Sequence, residues 1–156
     1  MLKKIKQVVA MLKNRRISLS IAESCTGGMF AQKLTGVSGA SKVFSFGIIT
    51  YSNQSKIKYL KVPPKTIKRY GAVSRECCKA MLINLSKISK TKLSVAITGI
   101  AGPKGGSKLK PVGLVYVGIK KGNKIKIKEY LFKNTNRENI RINSVKKLLE
   151  LIKNFI

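Results

Sequence analysis

The chain has 156 residues, of which 44% are hydrophobic and 6% aromatic, and it carries 33 Lys and Arg residues against only 5 acidic ones. All five acids are Glu, and Asp and His are absent, so a Ser-His-Asp triad, a His-based zinc site and a typical EF-hand are excluded within it. Most of the five Glu are expected on helix or strand surfaces. The length predicts one globular domain over residues 1–156. No apolar run reaches the ~18 residues of a membrane span, and the basic N-terminus has no signal-peptide pattern. We therefore expect a cytoplasmic protein without membrane contact.

The formal net charge of +28 has two interpretations. Lysines are spread along the whole chain beside abundant Ile and Asn, which favours a drift toward A/T-rich codons. Nucleic-acid-binding proteins instead concentrate their positive charge and often interleave aromatic or Arg side chains. A basic nucleic-acid-associated module remains the alternative interpretation. Both interpretations predict nonspecific association with polyanions.

Apolar periodicity and turn residues predict the elements in chain order. The predicted helices are Lys3–Arg15, a stretch through Met29 and Leu34, Asn53–Leu60, a short helix ending at Arg69, about Arg75–Ser89 and about Arg137–Lys153. The predicted strands are Ile17–Ala22, Val43–Tyr51, Leu93–Thr98, Val112–Ile119 and Ile125–Phe132. A hairpin turn at Gly122-Asn123 joins the last two strands. Helical crossovers early and a hairpin late predict a mixed five-stranded sheet in an α/β sandwich.

Two residues indicate where the helix through Arg69 ends and where the next helix begins. Gly71 suits the position after the helix that ends at Arg69, and Ser74 suits the N-cap of the next one. That next helix should bury a stripe made of Cys77, Met81, Leu85 and Ile88.

Ser24 lies at the junction between a predicted strand and the helix that follows it, shortly before Thr26-Gly27-Gly28. Such a turn exposes a side chain at the carboxyl edge of a sheet, and the N–H groups that follow can hold an oxyanion or a phosphate. The alternative interpretation is that Ser24 or Thr26 merely caps the helix.

A second glycine-rich segment follows the third predicted strand and contains Gly99, Gly102, Gly105 and Gly106. Glycine permits close approach of the backbone to a ligand. A long surface turn is the alternative interpretation. Two such loops after strands of one small domain favour a shared ligand crevice.

Lys56 and Tyr51 flank a Ser-Asn pair after the second predicted strand. A Lys near a Ser can act as a base if burial or neighbouring cations lower its pKa, although most lysines are solvated surface groups. Cys25 is a possible nucleophile with no His to activate it. Cys77 and Cys78 lie on an apolar helix and are expected to fill space. The odd cysteine count indicates reduced thiols.

Several motifs then occur in one fixed order. They are Ala22-Glu-Ser-Cys-Thr-Gly-Gly28, Gly39-Ala-Ser41, Thr50-Tyr-Ser-Asn53 with Lys56, Gly71-Ala-Val-Ser74, Thr98-Gly-Ile-Ala-Gly-Pro103, Gly105-Gly-Ser107 and Lys110-Pro-Val-Gly113. This series resembles the C-terminal domain of the competence/damage-inducible protein CinA, a family whose standalone members are nicotinamide-nucleotide amidohydrolases of the PncC type. The resemblance covers about Lys3 to Ile156.

The resemblance implies a three-layer α/β/α sandwich, a homodimer, and hydrolysis of the carboxamide of nicotinamide mononucleotide to nicotinate mononucleotide and ammonia, without metal or cofactor. It implies that Ser24 is the nucleophile and that Tyr51 and Lys56 transfer protons. If the turn after Tyr51 folds back, the Tyr51 hydroxyl can hydrogen-bond Lys56 or Ser24 and relay the proton. The residues that it implies in substrate binding are Cys25, Thr26, Gly27, Gly28, Gly39, Gly99, Gly102, Gly105, Gly106, Arg137 and Arg141.

The chain departs from the family pattern at two places. It has Thr135-Asn136-Arg137 where Gly-Asp-Arg is common, and it has Lys104 and Lys108 where acids are usual. Both changes add positive character near the expected substrate and leave Ser24, Tyr51 and Lys56 untouched. A family member that has lost activity is therefore a further alternative to the amidase.

Overall fold

A computed structural model describes the whole chain, Met1–Ile156. Its helices are α1 (Leu2–Asn14), α2 (Met29–Thr35), α3 (Asn53–Lys58), α4 (Pro64–Tyr70), α5 (Arg75–Ser89) and α6 (Arg137–Phe155), with a short 3₁₀ turn at Ala40–Lys42. Its strands are β1 (Leu19–Glu23), β2 (Phe44–Ile49), β3 (Leu93–Gly99), β4 (Leu114–Lys121) and β5 (Lys124–Leu131). Every predicted element is present, with ends that differ by a few residues.

The five strands form one mixed sheet in the order β2-β1-β3-β4-β5. β1 runs parallel to both β2 and β3, whereas β4 pairs antiparallel with β3 and with β5. The carboxyl ends of β1, β2 and β3 therefore meet at one edge of the sheet, which is where open α/β sheets place their ligands.

Helices cover both faces of this sheet. A cluster of 25 buried residues joins one face to α1, α2 and α6, and a second cluster of 10 joins the other face to α5. Neighbouring residues of β1 show the alternation, because Ile21 belongs to the first cluster and Ala22 to the second. The chain is a three-layer α/β/α sandwich with a mixed five-stranded sheet, as predicted. None of its helices combines the length and the hydropathy needed to cross a bilayer.

The residues predicted to follow α4 and to cap α5 take those positions in the structure. Gly71 follows α4 with a φ of +75°, a region that glycine adopts without strain. The Ser74 hydroxyl accepts a hydrogen bond from the N–H of Cys77 and so caps α5.

The predicted apolar stripe of α5 is wrong at its end, because Ile88 is 45% exposed. Ser89 takes the position facing the sheet in the last turn, where its hydroxyl donates to Ser20 Oγ on β1. A polar contact thus replaces the apolar contact expected of Ile88.

Candidate active site

Three loops meet at the carboxyl ends of the parallel strands. Ser24 follows β1, Tyr51 follows β2, and the glycine-rich segment from Ile100 follows β3. Together they border an open cavity of about 230 Å³. Its lining residues are Ser24, Cys25, Tyr51, Gly99, Ile100, Ala101, Gly102, Lys104, Gly105 and Arg137. Arg137 and Lys104 make this cavity positive, and no acidic side chain lines it, so it favours an anionic ligand.

A direct contact joins Ser24 and Lys56. The ammonium nitrogen of Lys56 lies 2.9 Å from Ser24 Oγ, 2.6 Å from the carbonyl oxygen of Thr50 and 3.5 Å from that of Tyr51. Lys56 is only 1% exposed and Ser24 7%. The alternative interpretations, a solvated surface Lys and a Ser that only caps a helix, are therefore wrong.

Burial changes the acid–base character of Lys56. Desolvation lowers its pKa below the ordinary value, and the thiols of Cys77 and Cys25 offset only part of that shift. No carboxylate pairs with it, since both salt bridges of the chain involve Glu150. A neutral amine has two N–H donors and one lone pair, which match two backbone carbonyls and one hydroxyl. Lys56 is thus placed to accept the Ser24 proton.

The short helix α3 presents Lys56 to the serine. Ser52 caps this helix, and its hydroxyl accepts from the N–H of Ser55 while the Ser55 hydroxyl accepts from the N–H of Ser52. This capping box fixes the start of the helix directly after β2. Lys56 therefore follows the strand end closely enough for its side chain to reach back to the carbonyl of Thr50.

The buried carboxylate of Glu23 organises the turn that carries Ser24. It accepts hydrogen bonds from the N–H groups of Gly28 (3.1 Å), Phe30 (3.2 Å) and Ala31 (2.9 Å), at the start of α2. Glu23 is 1% exposed, contrary to the surface position expected of most acids in this chain. The sequence signal for this role was an acid directly before a strand-to-helix turn, since helix N-termini favour negative charge.

The turn after Ser24 contains both occupied and free backbone donors. The N–H of Gly27 bonds the Ser24 carbonyl and that of Gly28 bonds Glu23, so both glycines use their donors inside the protein. The N–H groups of Cys25 and Thr26 donate to no oxygen of the chain. They are the donors available to a developing oxyanion beside Ser24.

The loop after β3 also carries free donors. The N–H groups of Ala101, Gly102, Lys104, Gly105 and Gly106 donate to no backbone or side-chain acceptor. Ala101 and Gly102 are buried. Buried backbone donors are rarely left unpaired, so this loop is suited to an anionic group of a ligand.

Arg137 at the start of α6 ties two walls of the cavity together. Its Nη2 donates to the Tyr51 hydroxyl at 2.6 Å, and its Nη1 donates to the Gly102 carbonyl at 2.5 Å. The Tyr51 hydroxyl thus meets Arg137, and the predicted hydrogen bond from Tyr51 to Ser24 or Lys56 is absent. In this arrangement the Tyr51 hydroxyl has no hydrogen bond through which it could pass a proton to or from Ser24 or Lys56.

Some predicted substrate-binding residues lie apart from the cavity. Gly39 lines a different depression together with Lys6 and Val9. Arg141 does not line the cavity either. Its Nη2 donates to the Thr26 carbonyl at 2.8 Å and braces the turn.

Cys25 and Cys77 both lie near Lys56, but only Cys25 borders the cavity. Cys25 lines it, and burial raises the pKa of its thiol to about 12. Burial likewise raises the pKa of Cys77, which faces Lys56 from α5. A thiol kept protonated is a poor nucleophile. No group of three metal-ligating side chains occurs in the structure.

Comparison with known proteins agrees with this architecture. A family model described as "CinA C-terminal domain" matches residues 2–156. A CinA-like protein of Syntrophomonas wolfei is 45% identical over 146 residues, which cover 94% of this chain and 35% of that protein. The chain thus spans about a third of that relative's length.

Solved structures show the same fold. The crystal structure of the competence/damage inducible protein CihA from Agrobacterium tumefaciens superposes with a TM-score of 0.94 at 36% identity, covering 97% of this chain and 92% of the other. A CinA superfamily protein from Escherichia coli has a TM-score of 0.92 at 27% identity, covering 97% and 90%.

Fold and site together define an α/β domain with a buried serine–lysine pair at the carboxyl edge of its sheet. By the family match over nearly its whole length, the chain belongs to the CinA C-terminal domain family.

Proposed function

We propose that this domain hydrolyses the carboxamide of nicotinamide mononucleotide, forming nicotinate mononucleotide and ammonia. The observation that carries the proposal is the contact between the buried amine of Lys56 and the hydroxyl of Ser24, which lines a positive cavity. A nucleophile, a base with a lowered pKa and free oxyanion donors are what amide hydrolysis requires.

The first half of the proposed reaction acylates Ser24. Its Oγ attacks the carboxamide carbon while its proton passes to the lone pair of neutral Lys56. The carbonyl oxygen becomes an oxyanion, which the N–H groups of Cys25 and Thr26 stabilise. The tetrahedral intermediate collapses as protonated Lys56 gives its proton to the leaving nitrogen, so that ammonia departs and an ester to Ser24 remains.

The second half restores the enzyme. Water attacks the ester carbon and gives a proton to Lys56, which is neutral again after ammonia has left. Collapse of this second intermediate breaks the bond to Ser24 Oγ, which takes the proton back from Lys56. The product is the carboxylic acid, ionised at neutral pH, and no metal enters the scheme.

The remaining parts of the cavity suit the nucleotide phosphate. The free N–H groups between Ala101 and Gly106 offer hydrogen bonds without side chains in the way. Lys104 and Arg137 add positive charge at the same wall. Arg137 uses one N–H on Tyr51 and one on Gly102, which leaves other N–H groups of its guanidinium for the ligand.

The proposal is tested by supplying nicotinamide mononucleotide, nicotinamide riboside and free nicotinamide separately to the purified protein. Ammonia and the matching acid are then quantified by chromatography. We expect equal amounts of ammonia and nicotinate mononucleotide from the mononucleotide, and much slower release from the two compounds that lack phosphate. A folded protein that releases no ammonia from the mononucleotide contradicts the proposal.

We further propose that the domain assembles as a homodimer through the free edge of β2. Residues 43–55 form the longest stretch of the chain without a charged side chain, and they include this whole strand. The other sheet edge, β5, carries Lys124, Lys126, Lys128 and Glu129, and such charges discourage edge pairing. Light scattering should show twice the 17.2 kDa chain mass, and Ser45→Lys should yield monomers. A wild-type monomer contradicts this assembly.

We also propose a cytoplasmic location. Cys25, Cys77 and Cys78 are free thiols in buried positions. Reduced cysteines are typical of a reducing compartment.

A further inference from the structure

A second and larger concavity lies at the opposite end of the sheet from Ser24. It has a volume of about 730 Å³ and is open to solvent. It is bordered by the turn between α5 and β3, the hairpin between β4 and β5, and Phe155 near the end of α6. The residues that line it are Ser86, Lys90, Thr91, Lys92, Lys120, Lys121, Gly122, Asn123, Lys124 and Phe155. We call this concavity the lysine cleft.

Lysine is the most frequent residue type in the lining of this cleft. It supplies five of the ten lining residues, and none of those ten is acidic. A cleft lined by charges of one sign focuses the electrostatic field more strongly than the same charges on a flat surface.

Three of the five ammonium groups are free. Lys92 donates to the carbonyl of Arg16 at 3.0 Å, and Lys120 donates to that of Gly122 at 2.5 Å. Lys90, Lys121 and Lys124 are exposed, and their ammonium groups make neither a hydrogen bond nor a salt bridge. These three are available to an anion that enters the cleft.

The wall of the cleft at the α5–β3 turn is held firmly. Thr91 Oγ1 lies 2.7 Å from Ser20 Oγ and 3.0 Å from Ser89 Oγ, and it donates to the Leu93 carbonyl at 3.0 Å. This hydroxyl network joins the turn to β1 and β3. Lys90 and Lys92 therefore project from a fixed backbone on either side of Thr91.

We propose that the lysine cleft binds a linear phosphate chain of the inorganic polyphosphate type. Ammonium groups pair with phosphate oxygens as point charges, and several of them in a row fit an anion with closely spaced charges. The cleft would bind such a chain at a place separate from the reaction at Ser24.

The composition of the cleft favours a phosphate chain over a nucleic-acid strand. Single-stranded nucleic acid is usually held by aromatic side chains that stack on bases and by Arg side chains that add cation–π contacts. Phe155 is the one aromatic residue here, and no Arg lines the cleft. The cleft thus offers charge without a platform for bases.

The test compares two triple variants with the same formal charge. In the cleft variant, Lys90→Gln, Lys121→Gln and Lys124→Gln are combined. In the control variant, Lys3→Gln, Lys42→Gln and Lys65→Gln are combined, at exposed positions outside the cleft whose side chains make no hydrogen bond. Each variant loses three charges from +28. Binding of long-chain inorganic polyphosphate is measured at about 0.1 M salt, where exposed charges act over about 10 Å.

We expect the cleft variant to bind polyphosphate at least roughly tenfold more weakly than wild type, and the control variant to stay within about twofold, because only the cleft variant loses direct phosphate contacts. Equal weakening in both variants, or no binding by wild type, would overturn the proposal. Oligo(dT) that competes as well as polyphosphate at equal phosphate concentration would also overturn it, in favour of a nucleic-acid strand. If the cleft variant does not fold, the pair Lys121→Gln and Lys124→Gln in the hairpin serves instead, with Lys42→Gln and Lys65→Gln as its control.

Discussion

Lysine side chains lie at both ends of the central sheet, and the two ends place them in opposite environments. At the carboxyl end, Lys56 is buried, contacts Ser24 and has a lowered pKa. At the other end, Lys90, Lys121 and Lys124 are exposed in an open cleft. A chain rich in lysine thus offers the same side chain as a proposed proton acceptor in one place and as an exposed positive charge in another.

The difference teaches that burial, rather than residue type or net charge, separates the two roles. A net charge of +28 says nothing about which lysine is chemically active. Removal from water lowers the pKa of an amine, whereas an exposed amine stays protonated at neutral pH and can only attract anions. Each prediction below changes one side of this comparison.

The largest effect is expected from Lys56→Met, which keeps the length of the side chain and removes the amine. Loss of a general base lowers the rate typically by ~10²–10⁴-fold, so kcat for ammonia release should fall within or beyond that range. Lys58→Met, an exposed position on the same helix, is the matched control and should retain activity. Comparable activity in both variants would remove Lys56 from the mechanism.

The pH dependence of ammonia release by the wild-type protein should report the titration of the Lys56 amine. Because the pKa of Lys56 is lowered in the folded protein, the neutral amine becomes populated below the ordinary pKa of 10.5. Below the lowered pKa, kcat/KM should rise by about tenfold per pH unit and then level off once Lys56 is deprotonated. Initial rates of ammonia release across the pH range check this. A profile that is flat where the protein is folded argues against an amine base.

A smaller effect is expected on stability from Glu23→Gln. The carboxylate accepts three backbone hydrogen bonds, whereas an amide presents one oxygen and an NH₂ group to the same donors. Hydrogen bonds to charged groups contribute about 1.5–3 kcal/mol, so a loss of about that size is expected in chemical denaturation. Glu138→Gln, an exposed acid in the first turn of α6, should change stability much less. Equal effects in the two variants would mean that Glu23 does not organise the turn.

The smallest effect is expected from neutralising the lysine cleft. The triple variant at Lys90, Lys121 and Lys124 should release ammonia from nicotinamide mononucleotide within about twofold of wild type, because exposed charges farther apart than a Debye length interact weakly. Steady-state kcat and KM check this. A large loss of activity would show that the two ends of the sheet are coupled.

The sequence predicted the elements well because their signals are local. Apolar spacing in α1 places Ile5, Val8, Val9 and Leu12 in the core. The Ser74 cap needs only neighbouring residues to be recognised. Element order predicted the mixed sheet. The family resemblance added the three-layer arrangement and the pairing of Ser24 with Lys56, which lie 32 residues apart.

Other features of the site depend on contacts that no local pattern contains. The Tyr51 hydroxyl meets Arg137, 86 positions later, instead of the expected Ser24 or Lys56. Glu23 is buried and organises a turn, although most acids of this chain are expected at the surface. Gly39 belongs to one of the sequence motifs, yet it lines a different cavity because it stands at the start of the 3₁₀ turn before β2. Tertiary packing decides all three.

The most direct test of the account compares Ser24→Ala with Cys25→Ala for ammonia release from nicotinamide mononucleotide. Both side chains line the cavity next to each other, and only Ser24 Oγ contacts the Lys56 amine. We expect Ser24→Ala to lose turnover by orders of magnitude while keeping the wild-type fold by circular dichroism, and Cys25→Ala to remain active. A folded Ser24→Ala protein with near-normal activity, together with an inactive Cys25→Ala protein, would contradict the assignment of Ser24 as the nucleophile.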